Sequence, residues 1–173
     1  MKYYKCRNVK SPQRANDNLS VGIDFFIPYF NDRFVEDFKF KNKDNNISVL
    51  ICDEVKFDKY IIIKPQERVL IPSGIIVKIP KNYMLCAFNK SGVSSKKGLD
   101  VLASVVDPGY SGEVHINLVN TGKHIQYIYE EEKIIQFIMI PIKYSTIKEV
   151  KTYKELYPKK TIRGSGGFGS TGV

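Results

Sequence analysis

The sequence predicts an all-β domain of the barrel or jelly-roll type. Three observations indicate this fold class: the β-branched runs are short, tight turns separate them at regular intervals, and helical periodicity is scarce. The chain has 173 residues, which suffices for one domain with a substantial core. We therefore expect a single β domain rather than an array of small modules.

The predicted strands follow one another through the middle and last third of the chain. Each of the first three is a β-branched run that ends at proline or beside glycine, since neither residue favours a central strand. A later segment alternates apolar and polar side chains, as a strand with one solvated face does. The predicted strands are residues 61–65, 69–72, 75–80, 84–88, 113–120 and 134–142.

The remaining segments predict little helix. Residues 152–157 suit a helix of one or two turns, and residues 94–98 suit a single turn. Residues 31–46 are charged and rich in asparagine, and we interpret them as an excursion from the core. The predicted organisation is a β domain over residues 1–162 and a flexible glycine-rich arm over residues 163–173.

Composition excludes several classes of protein. The net charge is +9, but the lysines are dispersed, which favours a solvated surface over a dedicated nucleic-acid-binding face. No apolar run reaches membrane-spanning length, and the first residues lack the apolar core of a signal peptide. The three cysteines are scattered, so we expect free thiols and a cytoplasmic location.

The C-terminal eleven residues combine five glycines with an arginine, a phenylalanine and two hydroxyl residues after that phenylalanine. Arg163 can bind a phosphate through its guanidinium fork, and the ring of Phe168 can stack on a flat base. The glycine backbone can approach a phosphate chain closely. A disordered tail or linker is the alternative interpretation of the same composition.

Two internal segments suggest chemistry. Residues 89–95 place small residues, Lys90 and Ser91 between a strand and a helical turn, which suits an anion nest or a serine-rich helix cap. Residues 103–113 deliver Asp107 from an apolar strand into a Pro-Gly turn, followed by Tyr110. In this position Asp107 could take a proton from water, or it could simply begin the turn.

In combination, these segments resemble the trimeric dUTP pyrophosphatase (dUTPase) family, in the form found in viruses and phages. All five ordered motifs of that family can be placed between Val21 and the C-terminus. The third and fifth motifs are specific in combination, whereas the others would be weak alone. The five motifs match residues 21–26, 89–93, 104–112, 132–137 and 163–172.

The resemblance implies a jelly-roll (β-clip) subunit in a homotrimer, with three active sites at subunit interfaces. The implied reaction converts dUTP to dUMP and pyrophosphate with Mg²⁺ on the triphosphate, which keeps uracil out of DNA and supplies dUMP for dTMP synthesis. It further implies that Asp107 activates the attacking water and that Tyr110 packs on the deoxyribose. By the same resemblance, the uracil contacts are the backbone of Ser104, Val105, Val106 and His115; the phosphate contacts are Lys90, Ser91, Gly92, Gln136, Arg163, Ser170 and Thr171; Phe168 and Gly169 cover the base; and Asp24 acts on Mg²⁺ through water.

The sequence also departs from the family pattern. Lys90 stands where arginine is usual, and lysine keeps the charge but loses the fork. Ser104 replaces a usual glycine, and Glu131-Glu132 replaces a usual Gly-Asp. The chain is longer than compact relatives over about residues 28–56, which we interpret as an inserted loop or hairpin with a structural or partner-binding role.

Two alternatives stay open at the level of sequence. A dCTP deaminase shares this fold and the Asp-Pro-Gly turn, but its catalytic glutamate falls at Asn117, and an amide cannot serve as that acid and base. The deaminase also lacks the Phe168-Gly169-Ser170 arm. A regulatory protein that binds a repressor partner is the second alternative, because phage members of the family are known to bind such partners.

Overall fold

The computed structural model describes residues 1–16, 19–45, 49–52 and 58–166. Residues 1–142 form one compact unit, and residues 143–173 form another. The predicted arm, residues 163–173, falls within the second unit. In chain order the elements are β1 (Lys2–Lys5), β2 (Ile23–Phe25), α1 (Asp32–Lys41), β3 (Val49–Cys52), β4 (Asp58–Ile63), β5 (Arg68–Lys78), β6 (Tyr83–Asn89), α2 (Ser91–Lys97), β7 (Leu99–Val101), β8 (Val105–Val106), β9 (Glu113–Asn120), β10 (Gln126–Tyr129), β11 (Ile135–Pro141) and α3 (Tyr153–Leu156).

The strands of the described residues form three antiparallel sheets. Their orders are β1-β5-β9-β7, β10-β4-β3 and β2-β11-β6-β8. In β9 the predicted alternation is confirmed, because Val114, Ile116 and Leu118 are buried while the residues between them are partly exposed. The all-β prediction is therefore correct.

Strand β5 corrects one detail of the sequence analysis. We predicted two strands, 69–72 and 75–80, separated by a Pro-Ser-Gly turn. The structure instead has one strand, whose register with β9 shifts between Pro72 and Ile76. Gly74 lies in this bulge with φ 74°, a conformation that favours glycine. The turn residues therefore bend a continuous strand instead of reversing it.

Helix α1 corrects the interpretation of residues 31–46 as an excursion. Asn31 caps the helix, since its Oδ1 accepts a hydrogen bond from the Phe34 amide at 2.9 Å. Phe34 and Phe38 are fully buried, and the rings of Phe30 and Phe34 stack with centroids 4.8 Å apart. Residues 30, 34 and 38 repeat at helical spacing, and this signal was overlooked among the charges.

The long segment before β4 and the two short helices can be set against the structure element by element. The predicted loop or hairpin over residues 28–56 contains α1 and β3, and β3 pairs with β4. The predicted helix at residues 152–157 is confirmed as α3, and the predicted turn at residues 94–98 is the second half of α2.

Cys6 and Cys86 are free thiols, as predicted, while the side chain of Cys52 lies outside the described part. Among the described residues, no helix has the length and apolar character needed to span a membrane.

Candidate active site

A cavity of about 210 Å³ lies where the chain leaves β7 and enters β8. These two strands belong to different sheets, so the crossing opens a gap beside β9. The predicted residues Ser104 to Asp107, Tyr110 and His115 all line this gap. The full lining is Leu70, Ala103, Ser104, Val105, Val106, Asp107, Tyr110, Val114, His115, Asn117 and Phe137.

The Asp107 loop (residues 107–112) joins β8 to β9, which lie in different sheets, and it is held at both ends. Val106 pairs with Leu85 of β6, and the Tyr110 amide then donates to the Asp107 carbonyl at 3.1 Å to close the turn. Asp107 itself is exposed, and its carboxylate has no hydrogen bond or ion pair within the part that the structure describes. The carboxylate is therefore free to interact with a ligand or water at the mouth of the cavity.

Tyr110 is fixed against the start of β9. Its hydroxyl donates a hydrogen bond to the Glu113 carbonyl at 2.9 Å. Gly112 lies under the ring, and a Cβ there would come within 2.6 Å of the Tyr110 hydroxyl oxygen. Any larger residue at this position would displace the ring, so the glycine keeps Tyr110 beside the cavity.

His115 contributes a polar wall to the same cavity. Its Nε2 is buried and has no hydrogen-bond partner among the described residues. Burial lowers the pKa of the imidazole, and the positive charge of Lys41 lowers it further. A neutral ring with an unsatisfied nitrogen therefore borders the pocket.

A second cluster of predicted site residues gathers around Asp24. This aspartate is 2% exposed on β2, and its Oδ1 forms an ion pair with the Lys90 ammonium. Lys133 approaches Asp24 Oδ2 at 3.7 Å, and that oxygen accepts no hydrogen bond within the described residues. Gln136, directly opposite Asp24 in the sheet, donates to the Asn89 carbonyl at 2.8 Å. Residues from three separate sequence motifs thus meet at one place.

The start of α2 extends this cluster. Ser91 and Gly92 follow Lys90 and are both exposed. A Cβ at Gly92 would meet no atom within 4 Å, so the fold of one chain does not itself require glycine at this position. The space beside the helix start is open to a ligand.

The composition of the second cluster fits one form of magnesium binding. Among the described residues, no group of three or more histidine, cysteine, aspartate or glutamate side chains could hold a metal ion. Asp24 nevertheless has a buried carboxylate oxygen without a hydrogen bond. One carboxylate suits an Mg²⁺ ion that is bound chiefly by substrate phosphates and water.

Asp107 and the Asp24 cluster lie toward opposite ends of β6. Val106 pairs with Leu85, so the chain continues to Asp107 in the direction away from Asn89 and Lys90. The six steps from Met84 to Lys90 span roughly 20 Å at ~3.3 Å per residue. Asp107 and Lys90 of one chain are therefore too far apart to act on the same phosphorus atom.

The predicted arm is described only in part. Arg163 Nε donates to the Gly166 carbonyl at 3.2 Å, within a turn of the second compact unit. The predicted contacts Phe168, Gly169, Ser170 and Thr171 lie outside the described residues.

Besides the predicted site residues, Ala103, Val114 and Asn117 line the cavity. Leu70 and Phe137 line it as well, and Lys133 faces Asp24. Leu70 and Phe137 read only as core positions of strands, because strand pairing across the fold is what brings them to the gap. Lys133 could have been noticed, since it lies three residues before Gln136 in the fourth motif.

Comparison with known proteins identifies the family of the chain. Residues 54–172 match the model of the dUTPase family. The chain belongs to the dUTPase family. The deoxyuridine 5'-triphosphate nucleotidohydrolase of Wolbachia pipientis subsp. Culex pipiens is 35% identical over 117 residues, which cover 66% of this chain and 74% of that protein. The protein of the same description from Hydrogenobaculum sp. is 38% identical over 119 residues, which cover 67% of this chain and 78% of that protein.

Solved dUTPase structures share the fold of this chain. The dUTPase of Staphylococcus bacteriophage 80alpha with dUPNHPP superimposes with a TM-score of 0.73 at 22% identity, covering 99% of this chain and 98% of that one. The dUTPase from phage phi11 of S. aureus, described with its species-specific insert, gives 0.66 at 20% identity and covers 88% and 97%. The similarity extends over the N-terminal region that the family model leaves out.

Proposed function

We propose that this dUTPase-family chain hydrolyses dUTP to dUMP and pyrophosphate. The observation that carries the proposal is the Asp107 loop, which places the free Asp107 carboxylate and Tyr110 at the mouth of a cavity of about 210 Å³. Ser104, Val105 and Val106 line this cavity, and in this proposal their backbone groups recognise the edge of uracil. His115 and Asn117 supply further polar groups on the β9 side.

In this proposal Asp107 acts as the general base. Its carboxylate takes a proton from the water that attacks the α-phosphorus, and the new P–O bond forms as the bond to pyrophosphate breaks. Tyr110 packs on the deoxyribose, and its hydroxyl is already held by the Glu113 carbonyl at 2.9 Å. A ring fixed in this way leaves no room for a ribose 2′-hydroxyl.

The Asp24 cluster is the proposed phosphate-binding half of the site. Lys90 carries the positive charge, Ser91 and Gly92 offer donors at the open start of α2, and Gln136 orders the backbone next to Lys90. When bound to the triphosphate, Mg²⁺ neutralises charge on the phosphate oxygens. Asp24 is the residue that would hold the hydrated ion, through water. Arg163, Ser170, Thr171, Phe168 and Gly169 of the arm complete the proposed contacts.

We further propose that the two halves combine between subunits of a homotrimer. Within one chain, Asp107 and Lys90 are separated by roughly 20 Å along β6. A base and a phosphate ligand for one triphosphate must lie much closer, so the phosphate half must come from a neighbouring chain. A symmetric trimer would then contain three equivalent sites.

A panel of nucleotides with Mg²⁺ tests the proposed reaction. The purified protein is incubated with dUTP, dCTP, dTTP and UTP, and pyrophosphate and ammonia are measured separately. We expect pyrophosphate from dUTP alone. Ammonia from dCTP would instead identify a deaminase, despite Asn117, and comparable turnover of UTP would remove the role given to Tyr110.

A further inference from the structure

We propose that Arg7 is a positioning residue for the Asp107 loop, which it ties to helix α1 and to the bulge in β5. The proposal concerns residues outside all five dUTPase motifs. The expected effect on catalysis rests on the proposed dUTP hydrolysis. The expected effect on the conformation of the Asp107 loop does not.

Arg7 binds two carboxylates from different parts of the chain. Its Nε lies 2.7 Å from Glu113 Oε1 and its Nη2 lies 2.9 Å from Glu113 Oε2, so the guanidinium grips this carboxylate with two parallel bonds. The same Nη2 lies 2.5 Å from Asp37 Oδ2 of α1. The Arg7 side chain is only 7% exposed and that of Glu113 14%, so solvent screens this network weakly.

Glu113 connects the network to the Asp107 loop. It is the first residue of β9, and its backbone carbonyl accepts the hydrogen bond from the Tyr110 hydroxyl at 2.9 Å. Its side chain also accepts a bond from the Gly74 amide at 2.7 Å, within the β5 bulge. Arg7 therefore fixes the residue on which Tyr110 rests, six positions after Asp107.

Helix α1 has a second attachment to the cavity. Asn42, at its C-terminal end, exchanges two hydrogen bonds of 2.9 Å with the backbone of Leu70, as a neighbouring strand would. Leu70 lines the cavity. The helix thus holds one wall of the cavity through Asn42. Through Asp37 and Arg7 it also holds Glu113, where the Asp107 loop enters β9.

The directional nature of these contacts favours positioning over simple stabilisation. Buried ion pairs often contribute no more to stability than apolar residues of the same size, because desolvation offsets their attraction. A guanidinium fork, however, holds its carboxylate in one orientation. Since small displacements of catalytic groups cost large factors in rate, a fixed Glu113 matters for Asp107 and Tyr110.

The test compares Arg7→Lys and Glu113→Gln with two other variants. Both substitutions keep a polar side chain of similar reach but remove the two-bond grip. Asp37→Asn keeps both partners of the Arg7–Glu113 pair but removes the charge that holds the Arg7 guanidinium from the side of α1. Ile61→Val is the stability control, because it removes one buried methylene group in β4, in a different sheet from β9.

Three measurements are made on each variant: the melting temperature, amide hydrogen exchange over residues 105–113, and kcat and KM for dUTP and UTP. For Arg7→Lys and Glu113→Gln we expect faster exchange in this segment and a fall in kcat for dUTP of at least about tenfold. The preference for dUTP over UTP should narrow, since Tyr110 loses its fixed support. Asp37→Asn should shift the same quantities in the same direction by a smaller factor, and Ile61→Val should lower only the melting temperature.

The proposal is overturned if the Arg7 and Glu113 variants lose stability alone, with exchange, kcat and sugar preference unchanged as in Ile61→Val. If those two variants fail to fold, Asp37→Asn decides, and unchanged exchange in that variant overturns the proposal as well. A wild-type protein without dUTP turnover would contradict the proposed function. The hydrogen-exchange measurement would still decide whether Arg7 positions the Asp107 loop.

Discussion

Asp107 is the side chain on which the proposed chemistry most depends. It is exposed at the mouth of the cavity, and the fold does not use its carboxylate for any described hydrogen bond. Asp107→Asn should therefore leave the melting temperature and the binding of a non-hydrolysable dUTP analogue nearly unchanged. Turnover should fall by about 10²–10⁴-fold, the usual contribution of a general base.

The matched control for this prediction is Asp32→Asn, which removes an exposed carboxylate from the first turn of α1. It should keep full activity. If Asp107→Asn also hydrolysed dUTP at a near-normal rate, the role of Asp107 would be limited to starting the turn.

His115 predicts a dependence of stability on pH. Burial holds the pKa of its imidazole below the ordinary value, so the folded chain resists protonation while the unfolded chain accepts it. Below the ordinary pKa of about 6.5, the unfolded state binds more protons, and the free energy of unfolding decreases as the pH falls. The window extends from about 6.5 down to the lowered pKa of the folded state.

The measurement is urea unfolding at several pH values between 5 and 8. His115→Gln should flatten the dependence in the upper part of this range, because it removes the titrating group. The control is His124→Gln, which removes the other, exposed histidine and should leave the dependence in place. An equal slope in wild type and His115→Gln would show that other groups cause it.

At the scale of elements, the sequence predicted strands better than the bends between them. Alternation identified β9 because one of its faces is buried and the other is not. The bulge in β5 was predicted as a turn, since Pro72, Ser73 and Gly74 are also typical turn residues. Only the pairing with β9, which lies far along the chain, decides that the strand continues.

Helix α1 was overlooked for a different reason. Its charged residues dominate the composition of the segment, while its two buried phenylalanines are separated by three other residues. Their burial also depends on the packing of the helix against β5, and that contact is not local. The residues around the cavity and Asp24 could be predicted because they lie in family motifs. The residues of the Arg7 network lie outside these motifs, so only the structure identifies that network.

The glycine-rich arm gives a prediction at the same scale. Deletion of residues 163–173 should spare the fold, because the described residues of this segment are almost all exposed. It should nevertheless reduce turnover of dUTP severely, since the arm is proposed to supply Arg163 and Phe168. Phe168→Ala should fall between, as one aromatic stack contributes about 0.5–1.5 kcal/mol beyond its buried area.

Circular dichroism, melting temperature and steady-state kinetics of the truncated protein check these expectations. Limited proteolysis provides a second measurement, because a non-hydrolysable dUTP analogue with Mg²⁺ should protect the arm from cleavage. Full activity after truncation would contradict the role assigned to the arm.

At the scale of the whole molecule, the spacing of Asp107 and Lys90 along β6 has a genetic consequence. A chain with Asp107→Asn lacks the base, and a chain with Lys90→Ala lacks a phosphate ligand, so each should be nearly inactive alone. Unfolded together and refolded, the two chains should regain activity at about a quarter of the sites, those in which the intact halves meet across an interface. Two individually harmful alleles of this gene would then complement each other in one cell, whereas the double mutant Asp107→Asn/Lys90→Ala, mixed with either, would restore nothing.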